Sequence, residues 1–568
     1  MLSGKTAEAY KRWAEYANGD PDVARELREM EGHEERIEDA FYRELAFGTG
    51  GLRGIIGAGT NRMNIYTVAR ASQGLSDYVT AGFPREQWRI AVSYDSRIKS
   101  ELFARTAAGV FAANGIQVMI YGQLMPTPCL SYAVRALGCA AGVMVTASHN
   151  PAEYNGYKVY GPDGCQITLE AASAIQTEIG RTDLFGGVKS MEFARGMEEG
   201  LIQIIPEQVY TDFVEEVKGQ SLLGPDAAAD KNISIVYTPL HGTGLRPVLR
   251  TLREAGYASI TVVKEQEAPD GSFPTCPYPN PEVREAMELG LDYAGRVQAD
   301  ILLATDPDCD RVGVAAKGAD GSYVLLSGNE TGLLLLDYIC ARRLENGTMP
   351  RDPVVVKTIV TSDMAQRVAA RYGVETVNVL TGFKFIGEQI GLLERQSCAE
   401  RFIFGFEESC GYLSGGYVRD KDAVNASLLI CEMTAYYKAR GIALPERLET
   451  LYAEYGYSYE SLRSFTYEGP AGPEKMSVVM AGFRSGISHV GERRVETCVD
   501  YAAGVDGLPK ADVLKFTLEG NCSFVVRPSG TEPKIKVYLS VSAKDRKEAM
   551  ETSRDIFNEL TILTASFN

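Results

Sequence analysis

The sequence predicts an α/β protein with three related units, each a mainly parallel or mixed sheet covered by helices, and a smaller, different unit at the C-terminal end. Strand-length apolar runs alternate with helix-like segments through most of the 568 residues, which is typical of such layers. The pattern strand–helix–strand, followed by one more apolar strand that ends in a polar loop, occurs three times. Beyond about residue 465 the pattern changes to short strands and one closing helix.

The three units share this order of elements although their sequences differ. The first runs through RIAVSYDSR, ELFARTAAGVFAANG and IQVMIYG to GVMVTASHNP. The second runs through ISIVYTPLHGTG, LRPVLRTLREAG and ITVVKE to ADILLATDPDCDR, and the third through PVVVKTIV, SDMAQRVAARYG and ETVNVLTG to RFIFGFEESCGY. Because ligands bind beyond the carboxyl ends of strands in open α/β sheets, the three closing loops are predicted to form parts of one site.

The C-terminal unit is predicted to be a small sheet closed by a helix. FTLEG, CSFVVRPSG and KIKVYLSVSA have the composition of strands, and KDRKEAMETSRDIFNEL has that of a helix. The Pro- and Gly-rich segment YEGPAGPEK, residues 467–475, is the predicted linker region. The predicted domains are residues 1–205, 206–327, 328–464 and 465–568.

The composition argues against several classes of partner. A net charge of −17, from 75 acidic and 58 basic residues, repels nucleic-acid backbones and anionic membranes, so we expect neither as a partner. No apolar run reaches the ~18 residues of a membrane span, and the polar segment MLSGKTAEAYKRWAEY predicts an amphipathic helix rather than a secretion signal. The eleven cysteines lack CxxC spacing, so we expect reduced, non-catalytic thiols in a cytoplasmic protein.

Asp306, Asp308 and Asp310 alternate in the loop TDPDCDR between two apolar runs. Three carboxylates this close repel one another unless a cation neutralises them, and oxygen ligands select Mg²⁺ or Ca²⁺. The loop is not an EF-hand, because Arg311 and Lys317 stand where that motif has Gly and Glu. A Mg²⁺ site that shares a phosphate oxygen is therefore favoured over a solvated acidic turn, and Arg311 makes an anionic ligand easier to accept.

The segment VVRPSGTEPKIK, residues 525–536, is a candidate phosphate loop. It places Arg527, Ser529, Gly530 and Thr531 in a tight turn after a strand. Arginine grips a phosphate with two parallel bonds, and small residues let backbone N–H groups approach it. By itself the segment is equally compatible with a capped Pro–Gly turn, and the chain contains no Walker loop.

The segment GFEESCGY is a candidate polyol-binding loop, which we call the sugar loop. It offers Glu407, Glu408 and Ser409 at a strand end, where carboxylate and hydroxyl groups suit hydrogen bonds to a sugar. Just beyond it, RDKDA supplies Arg419 and Lys421. Acidic loops and solvated charge runs are common, so neither segment is specific alone.

Ser148, in VMVTASHNPAEYNGYK, is compatible with a hydrolytic nucleophile, a phosphate acceptor or a capped turn. It lacks the GxSxG elbow of hydrolases, and His149 is one of only four histidines available as its base. FGTGGLRG, residues 47–54, fails the dinucleotide fingerprint but leaves Arg53 as an anion contact. A serine, a metal loop, a sugar loop and a separate phosphate loop together indicate phosphoryl transfer on a phosphosugar, with Ser148 as covalent carrier.

Four motifs in this order, TASHNP, DPDCDR, GFEESCG and RPSGTEPK, resemble those of the α-D-phosphohexomutase family, which includes phosphoglucomutase and phosphomannomutase. The length, FGTGGLRG and TGFKFIGE, residues 381–388, are most similar to the phosphoglucomutase and phosphopentomutase branch. The resemblance implies four domains around a central cleft, three of them related α/β units with mixed sheets. The fourth would be a smaller α+β domain like the TATA-binding protein.

The resemblance also implies a role for each motif residue. Ser148 would be the phosphoserine, and one of its phosphate oxygens would complete the Mg²⁺ site of the three aspartates. The implied substrate-binding residues are Thr381, Gly382, Glu407, Ser409, Arg527, Ser529, Gly530 and Thr531. The implied acid–base or charge-neutralising residues are His149, Lys158, Lys421, Arg53 and Arg311.

The implied reaction converts glucose 1-phosphate into glucose 6-phosphate and back through glucose 1,6-bisphosphate. A trace of the bisphosphate would activate the enzyme. We expect the enzyme to be a monomer or a homodimer. The alternatives are a pentose or mannose phosphate, synthesis of the bisphosphate, a Mg²⁺-dependent phosphatase and a non-catalytic sensor. Phe406 separates Gly405 from Glu407, whereas many relatives have Gly directly before this Glu. Cys309 and Cys410 lie in the metal and sugar loops without an assigned role, and His241 in PLHGTG is expected to be structural.

Overall fold

The computed structural model describes residues 3–223, 231–467, 472–505, 507–529 and 534–567. This part of the chain forms four sheets, one in each of four domains numbered I to IV in chain order. The first three sheets mix parallel and antiparallel pairs and are covered by helices, and the fourth is antiparallel. The predicted fold class is therefore confirmed.

Domain I contains an N-terminal group of helices and a six-stranded sheet. The strands are β1 (Leu52–Ile55), β2 (Arg89–Tyr94), β3 (Gln117–Ile120), β4 (Ala141–Val145), β5 (Tyr154–Tyr160) and β6 (Ile202–Ile204). The helices are α1 (Gly4–Tyr16), α2 (Pro21–Met30), α3 (Glu34–Phe41), α4 (Ile65–Gly82), α5 (Ser100–Ala113), α6 (Thr127–Ala136), α7 (Leu169–Arg181) and α8 (Phe193–Glu198). The strand order is β1-β5-β4-β2-β3-β6.

Domain II has a five-stranded sheet in the order β11-β10-β9-β7-β8. Its strands are β7 (Ile235–Thr238), β8 (Ile260–Val262), β9 (Ile301–Thr305), β10 (Val312–Lys317) and β11 (Tyr323–Leu326). Its helices are α9 (Glu207–Lys218), α10 (Leu245–Glu254), α11 (Lys264–Glu267) and α12 (Arg284–Val297).

Domain III has a four-stranded sheet in the order β13-β12-β14-β15. Its strands are β12 (Val354–Thr358), β13 (Glu375–Val379), β14 (Phe402–Glu407) and β15 (Gly411–Leu413). Its helices are α13 (Gly328–Glu345), α14 (Met364–Arg371), α15 (Phe383–Arg395), α16 (Ala423–Lys438) and α17 (Leu444–Tyr455).

Domain IV is an antiparallel sheet in the order β16-β21-β20-β19-β18-β17, packed against two helices. Its strands are β16 (Tyr457–Thr466), β17 (His489–Val490), β18 (Arg493–Asp500), β19 (Leu514–Leu518), β20 (Cys522–Pro528) and β21 (Lys534–Ala543), and its helices are α18 (Gly472–Arg484) and α19 (Arg546–Ser566). Along β21 buried and half-buried residues alternate, because the helices cover one face of the sheet.

The first three domains repeat one arrangement around the predicted loops. The strand before each loop, β4, β9 or β14, is parallel to an inner neighbour and antiparallel to the strand that follows it, β5, β10 or β15. All residues of the three strands before the loops are buried, as expected where helices cover both faces. The predicted architectural repeat is confirmed, and each loop connects a parallel strand to its antiparallel neighbour.

The sheet of domain IV and the predicted boundary before it begin at different residues. The sheet of domain IV begins with β16 at Tyr457, upstream of the predicted boundary at residue 465, which the periodicity of short strands did not reveal. Tyr467 follows β16 directly, and residues 472–475 are the beginning of α18. The described part of segment 467–475 therefore lies within domain IV and is not a linker between domains. Residues 468–471 lie outside the described part of the chain. The boundaries 1–205, 206–327, 328–464 and 465–568 otherwise stay predictions.

The N-terminal helices pack on domain I through an aromatic cluster. Trp13 of α1 contacts the rings of Phe41, Tyr66 and Phe185 edge-on, with centroids 5.4–5.7 Å apart. The predicted amphipathic N-terminal helix is thus confirmed as α1. Within the described ranges, no helix combines the length and the apolar character needed to cross a membrane.

Candidate active site

The three predicted loops meet at the carboxyl ends of β4, β9 and β14. Ser148 follows β4, Asp306 follows β9, and Glu407 is the last residue of β14. The Ser148 hydroxyl donates to Oδ2 of Asp306 at 2.8 Å, although 158 positions separate the two residues. Lys421 Nζ lies 2.9 Å from Asp310 and 4.0 Å from Glu407, and so connects the metal loop to the sugar loop.

Ser148 is buried in a strained turn. Its backbone has a φ of 52°, in the left-handed region, and the residue is only 3% exposed. Its N–H donates to the Thr146 hydroxyl at 2.8 Å, and its Oγ lies 3.2 Å from Nδ1 of His149. Burial, followed by the charges of Arg311 and Arg53, lowers the pKa of His149 well below its usual value, so the imidazole is neutral at pH 7.

The acidic triad fits a divalent cation. Asp306, Asp308 and Asp310 are at most 1% exposed, and one carboxylate oxygen of each lies within 4.8 Å of the other two. Among the described residues, Oδ1 of Asp308 has no hydrogen-bond partner, and a buried carboxylate oxygen without a donor is costly. Three buried oxygen donors with spare lone pairs are the ligands that hard divalent ions prefer, so the triad can hold a metal ion.

Two buried lysines neutralise part of the triad. Lys158 Nζ donates to Oδ2 of Asp308 at 2.7 Å and lies 3.5 Å from Asp310, which Lys421 also pairs. Burial raises the pKa of Asp310, but the charges of Lys421 and Lys158 outweigh it and hold that pKa low. Burial and the charges of Asp310 and Asp308 raise the pKa of Asp306. Without a cation Asp306 therefore resists ionisation beside its two charged neighbours, and a divalent ion would relieve this repulsion.

The sugar loop and the phosphate loop are joined across domains III and IV. On β14 and beyond, the Ser409 hydroxyl donates to Oε1 of Glu407 at 2.8 Å. Thr381 precedes Gly382, whose φ of 110° favours glycine and which is the N-cap residue of α15. The guanidinium of Arg527, on β20, donates to the Thr381 hydroxyl. Groups suited to hydroxyl and phosphate recognition thus adjoin one another.

The phosphate loop is described only in part. Arg527 is near the end of β20, and Ser529 follows it with its N–H donating to the Lys534 carbonyl at 2.7 Å. This bond joins the residue after β20 to the first residue of β21. Gly530 and Thr531 lie outside the described residues, and their predicted role in phosphate binding stays a prediction.

Sequence profiles of a known family match four stretches of the chain. They are described as phosphoglucomutase/phosphomannomutase alpha/beta/alpha domain I at residues 44–184, domain II at 208–320, domain III at 327–455 and the C-terminal domain at 493–559. The chain belongs to the phosphoglucomutase/phosphomannomutase family. The family predicted from the four motifs is confirmed.

Individual members of the family resemble the chain over nearly its whole length. The phosphoglucomutase of Staphylococcus saprophyticus is 35% identical over 551 residues, which cover 94% of this chain and 97% of the relative. A Paramecium phosphoglucomutase, pp63/parafusin, in an open form has a TM-score of 0.69 at 17% identity, over 93% of this chain and 96% of that one. The N-acetylphosphoglucosamine mutase of Aspergillus fumigatus, in complex with GlcNAc-6P and magnesium, has a TM-score of 0.51 at 15% identity, over 99% and 100%. The two structures show a shared fold.

The two arginines predicted to neutralise phosphate border the loop of Ser148 and the loop of the acidic triad. Arg53, on β1, donates from Nη1 to Oδ1 of Asn150 at 3.1 Å. Arg311, directly after the acidic triad, donates to Oε1 of Glu282 at 2.6 Å. Arg311 therefore already has a carboxylate partner in domain II, and a phosphate would share it. Their contact with substrate stays a prediction.

Two polar groups of this family member were missed in the sequence. The Thr127 hydroxyl, at the start of α6, donates to Oδ2 of Asp308 at 2.7 Å, and the segment MPTP gave no sign of it. Lys384 Nζ donates to the Thr49 hydroxyl at 2.6 Å and so ties α15 of domain III to the FGTGGLRG segment of domain I. Lys384 stands in TGFKFIGE, a segment noted for its resemblance but not for this residue.

The two cysteines without an assigned role contribute backbone geometry. Cys309 and Cys410 have φ values of 52° and 57°, so both make tight left-handed turns inside their loops. The carbonyl of Cys410 accepts from the N–H of Val312 at 3.1 Å, and that of Cys309 accepts from Ala423 at 3.3 Å. These bonds join domain II to domain III. Burial raises the pKa of both thiols, which disfavours the reactive thiolate.

Proposed function

We propose that this chain is a phosphoglucomutase that interconverts glucose 1-phosphate and glucose 6-phosphate by way of a phosphorylated Ser148. The observation that carries the proposal is the 2.8 Å hydrogen bond between the Ser148 hydroxyl and Asp306 inside a buried acidic triad. A serine held against a cation site is suited to carrying a phosphoryl group, because the cation would balance the added negative charge. The phosphoglucomutase name of the relative from Staphylococcus saprophyticus supports the choice of sugar.

Mg²⁺ is the proposed metal, and Asp306, Asp308 and Asp310 would hold it. When bound, it would supply positive charge that stabilises the transferring phosphoryl group. The magnesium complex named for the Aspergillus fumigatus mutase supports this choice over Ca²⁺. The oxygen-only ligand set agrees with it as well.

The remaining loops would bind and orient the substrate. Arg527 and Ser529 would hold the phosphate that does not react, since a guanidinium grips phosphate through paired hydrogen bonds. Glu407 and Ser409 would accept and donate hydrogen bonds to sugar hydroxyls. The Ser409 hydroxyl donates a hydrogen bond to Oε1 of Glu407. A bound sugar would replace this bond with hydrogen bonds between its own hydroxyls and these two side chains.

Lys158 and Lys421 are the proposed proton-transfer groups, with neutral His149 beside Ser148. Both lysines pair with the triad, and their ammonium groups are charged when the carboxylates are. When a cation neutralises the aspartates, each lysine loses part of that stabilisation, which moves its pKa downwards toward the range of a general acid or base. With one lysine in its neutral amine form, a bound sugar hydroxyl would lose its proton to that nitrogen as its oxygen attacks the phosphoryl group. The bond between phosphorus and Ser148 Oγ would break, and the serine oxygen would take up a proton.

A separate candidate phosphate loop favours a mutase over the alternative of a Mg²⁺-dependent phosphatase. Arg527 lies in domain IV and Ser148 in domain I, so one end of the sugar would be held while the other meets the serine. Glucose 1,6-bisphosphate is the proposed intermediate and activator. A phosphosugar is the proposed ligand, and a cytoplasmic location and a monomeric or homodimeric state stay predictions.

A coupled assay tests the proposal. Glucose 1-phosphate and Mg²⁺ are supplied with and without a trace of glucose 1,6-bisphosphate, and glucose 6-phosphate and inorganic phosphate are followed together. We expect glucose 6-phosphate without matching phosphate release, and a rise in rate with the bisphosphate. Release of phosphate as fast as substrate is consumed would indicate a phosphatase, and a larger kcat/KM for mannose or ribose 1-phosphate would change the sugar.

A further inference from the structure

A single buried guanidinium supports the backbone of Ser148 and of the residues that follow it. Arg97, in the segment SYDSR after β2, is 3% exposed. Its Nη2 donates to the carbonyls of Ser148 and Asn150, and its Nη1 donates to the carbonyls of Pro151 and Tyr154 at 2.8 and 3.0 Å. Four carbonyls of the loop thus converge on one cation, in the planar geometry that suits arginine.

Asp95 fixes this guanidinium and the start of the same loop. Its Oδ2 accepts from the Thr146 hydroxyl at 2.6 Å and lies 3.5 Å from Nε of Arg97, while its Oδ1 accepts from the Arg97 N–H at 2.9 Å. The Thr146 oxygen in turn accepts from the N–H of Ser148. Asp95 and Arg97 therefore hold the left-handed turn at Ser148 from below, one through a hydroxyl and the other through carbonyls.

Domain II lies directly against Arg97 through one segment, residues 268–275, which we name the bracing segment. The ring of Phe273 lies under the guanidinium, with 5.0 Å between its centroid and Cζ. Gly271 pairs with Arg97 through a backbone bridge, and a Cβ at this glycine would lie 2.4 Å from the N of Ile98. Phe273 has a φ of 47°, which is unfavourable for a bulky residue and persists only where packing requires it.

His241, which the sequence left as structural, holds both ends of the bracing segment. Its ring lies 3.1 Å from the carbonyl of Ala268 through Nδ1 and 2.9 Å from the Thr275 hydroxyl through Nε2. Because a carbonyl can only accept, Nδ1 carries the proton and Nε2 accepts from threonine. Two residues on, the N–H and hydroxyl of Thr243 both donate to the carbonyl of Pro307 in the metal loop, at 2.9 and 3.0 Å.

We propose that Arg97 is a positioning residue that sets the distance between Ser148 and the metal loop, with the bracing segment and His241 transmitting its position to domain II. The contacts form one continuous path, from the Ser148 carbonyl through Arg97, Phe273 and His241 to the loop that contains Asp306. The inference rests on the proposed function, since it assigns Arg97 a part in phosphoryl transfer. Arg97 itself touches no reacting atom.

Three readouts test Arg97→Lys and Arg97→Gln: steady-state kinetics, the rate at which glucose 1,6-bisphosphate phosphorylates Ser148 by intact mass, and amide hydrogen exchange over residues 143–158. Lysine has fewer donors than guanidinium, so we expect kcat to fall about tenfold in Arg97→Lys and about a hundredfold in Arg97→Gln, with KM within about threefold. Phosphorylation should slow by similar factors, and the amides around Ser148 should exchange faster. Arg342→Lys is the matched control, because Arg342 is also buried but lies in α13 against Leu222.

Phe273→Leu tests the same path from domain II, should the Arg97 variants not fold. It keeps an apolar side chain and removes the ring beneath the guanidinium, so we expect a threefold to tenfold loss of kcat and faster exchange at 143–158. Wild-type phosphorylation rates and exchange in folded Arg97→Lys and Phe273→Leu, or a change in KM alone, would overturn the proposal. If the wild-type enzyme is not phosphorylated, the proposed function fails, and the exchange data still decide whether Arg97 positions the loop.

Discussion

Glu407, Glu408 and Ser409 alternate between two environments, as consecutive residues at a strand end do. Glu407 and Ser409 bond to each other on the side of Lys421, whereas Glu408 points to the opposite side, where its Oε2 accepts from the hydroxyls of Thr358 and Thr361 at 3.2 and 3.3 Å. The sequence identified all three as polar candidates. The strand period alone separates the two that share the site from the one that does not.

Glu408 predicts a pH dependence of stability. Burial and then the charge of Glu407 raise its pKa from 4.5 to about 7. A carboxyl with a raised pKa in the folded state binds its proton more tightly there, so its contribution to stability is full below pH 4.5 and is lost as pH rises to about 7. Glu408→Gln should therefore gain about 2 °C or more in Tm relative to wild type between pH 5 and pH 8.

Thermal unfolding across that range measures this effect, with the exposed Glu400→Gln as control. A difference in Tm between Glu408→Gln and wild type that stays constant with pH would show that Glu408 ionises normally.

The acidic triad predicts a specific response to metal removal. Three buried carboxylates repel one another, so Asp306→Asn should leave the metal-free protein at least as stable as wild type while it removes one ligand. Mg²⁺ in hundredfold excess over its Kd should stabilise wild type by about 2.7 kcal/mol, and we expect most of this gain to be lost in Asp306→Asn together with turnover.

Tm with Mg²⁺ and with a chelator provides the measurement for both proteins. Asp292→Asn, exposed on α12, should keep the full metal-induced shift. An unchanged shift in Asp306→Asn would place the cation elsewhere.

At the scale of elements, the order of strands and helices was readable, but two of the three antiparallel partners, β5 and β15, were not. β15 has three residues and β5 begins in the polar segment AEYNGYK, so neither stands out as an apolar run. β16 was missed for a similar reason, since its outer residues alternate with half-buried ones on the edge of the sheet. The loops between these strands carry the site, and their shape depends on pairing that a linear pattern does not specify.

Close packing of α13 against the sugar loop predicts the effect of one added methyl group. A Cβ at Gly328, the first residue of α13, would lie 2.0 Å from the Glu408 carbonyl and 2.6 Å from the N of Cys410, and backbone cannot move aside as a flexible side chain can. Gly328→Ala should displace the sugar loop, lower stability by about 1–3 kcal/mol and reduce kcat/KM at least tenfold.

Gly295→Ala in α12 is the control, because nothing lies within 4 Å of its added Cβ. It should be neutral or stabilising by up to about 1 kcal/mol, since alanine favours a helix over glycine. Thermal unfolding and steady-state kinetics measure both variants. Equal behaviour of the two would mean that α13 does not support the sugar loop.

At the scale of the whole molecule, an apolar cluster and the candidate site connect the four domains. A single cluster of buried apolar side chains extends through all four domains and includes Met119, Leu303, Phe404 and Phe516. Ordered motifs identified the members of the site because each lies at a strand end, where open sheets bind ligands. What they could not give is how the domains face one another, since Thr127, Arg97 and Lys384 make contacts across long sequence separations.

Two polar contacts and an apolar group join domain IV to domain III. Lys515 on β19 lies 3.3 Å from Asp363, Arg527 donates to Thr381, and an apolar group that includes Ile359 and Tyr501 fills the space between. Motion of domain IV relative to domain III would break these contacts. The proposed reaction requires such motion, because the bisphosphate must present its other phosphoryl group to Ser148.

The most direct measurement of the central claim is a single-turnover experiment with glucose 1,6-bisphosphate that carries isotopically labelled phosphate. We expect one label per chain on Ser148, which then passes to added glucose 1-phosphate or glucose 6-phosphate and is not released to water. Ser148→Ala should carry no label and lose kcat by about a thousandfold or more, as nucleophile variants do. Label on another residue, label released as inorganic phosphate, or wild-type turnover in Ser148→Ala would contradict the account.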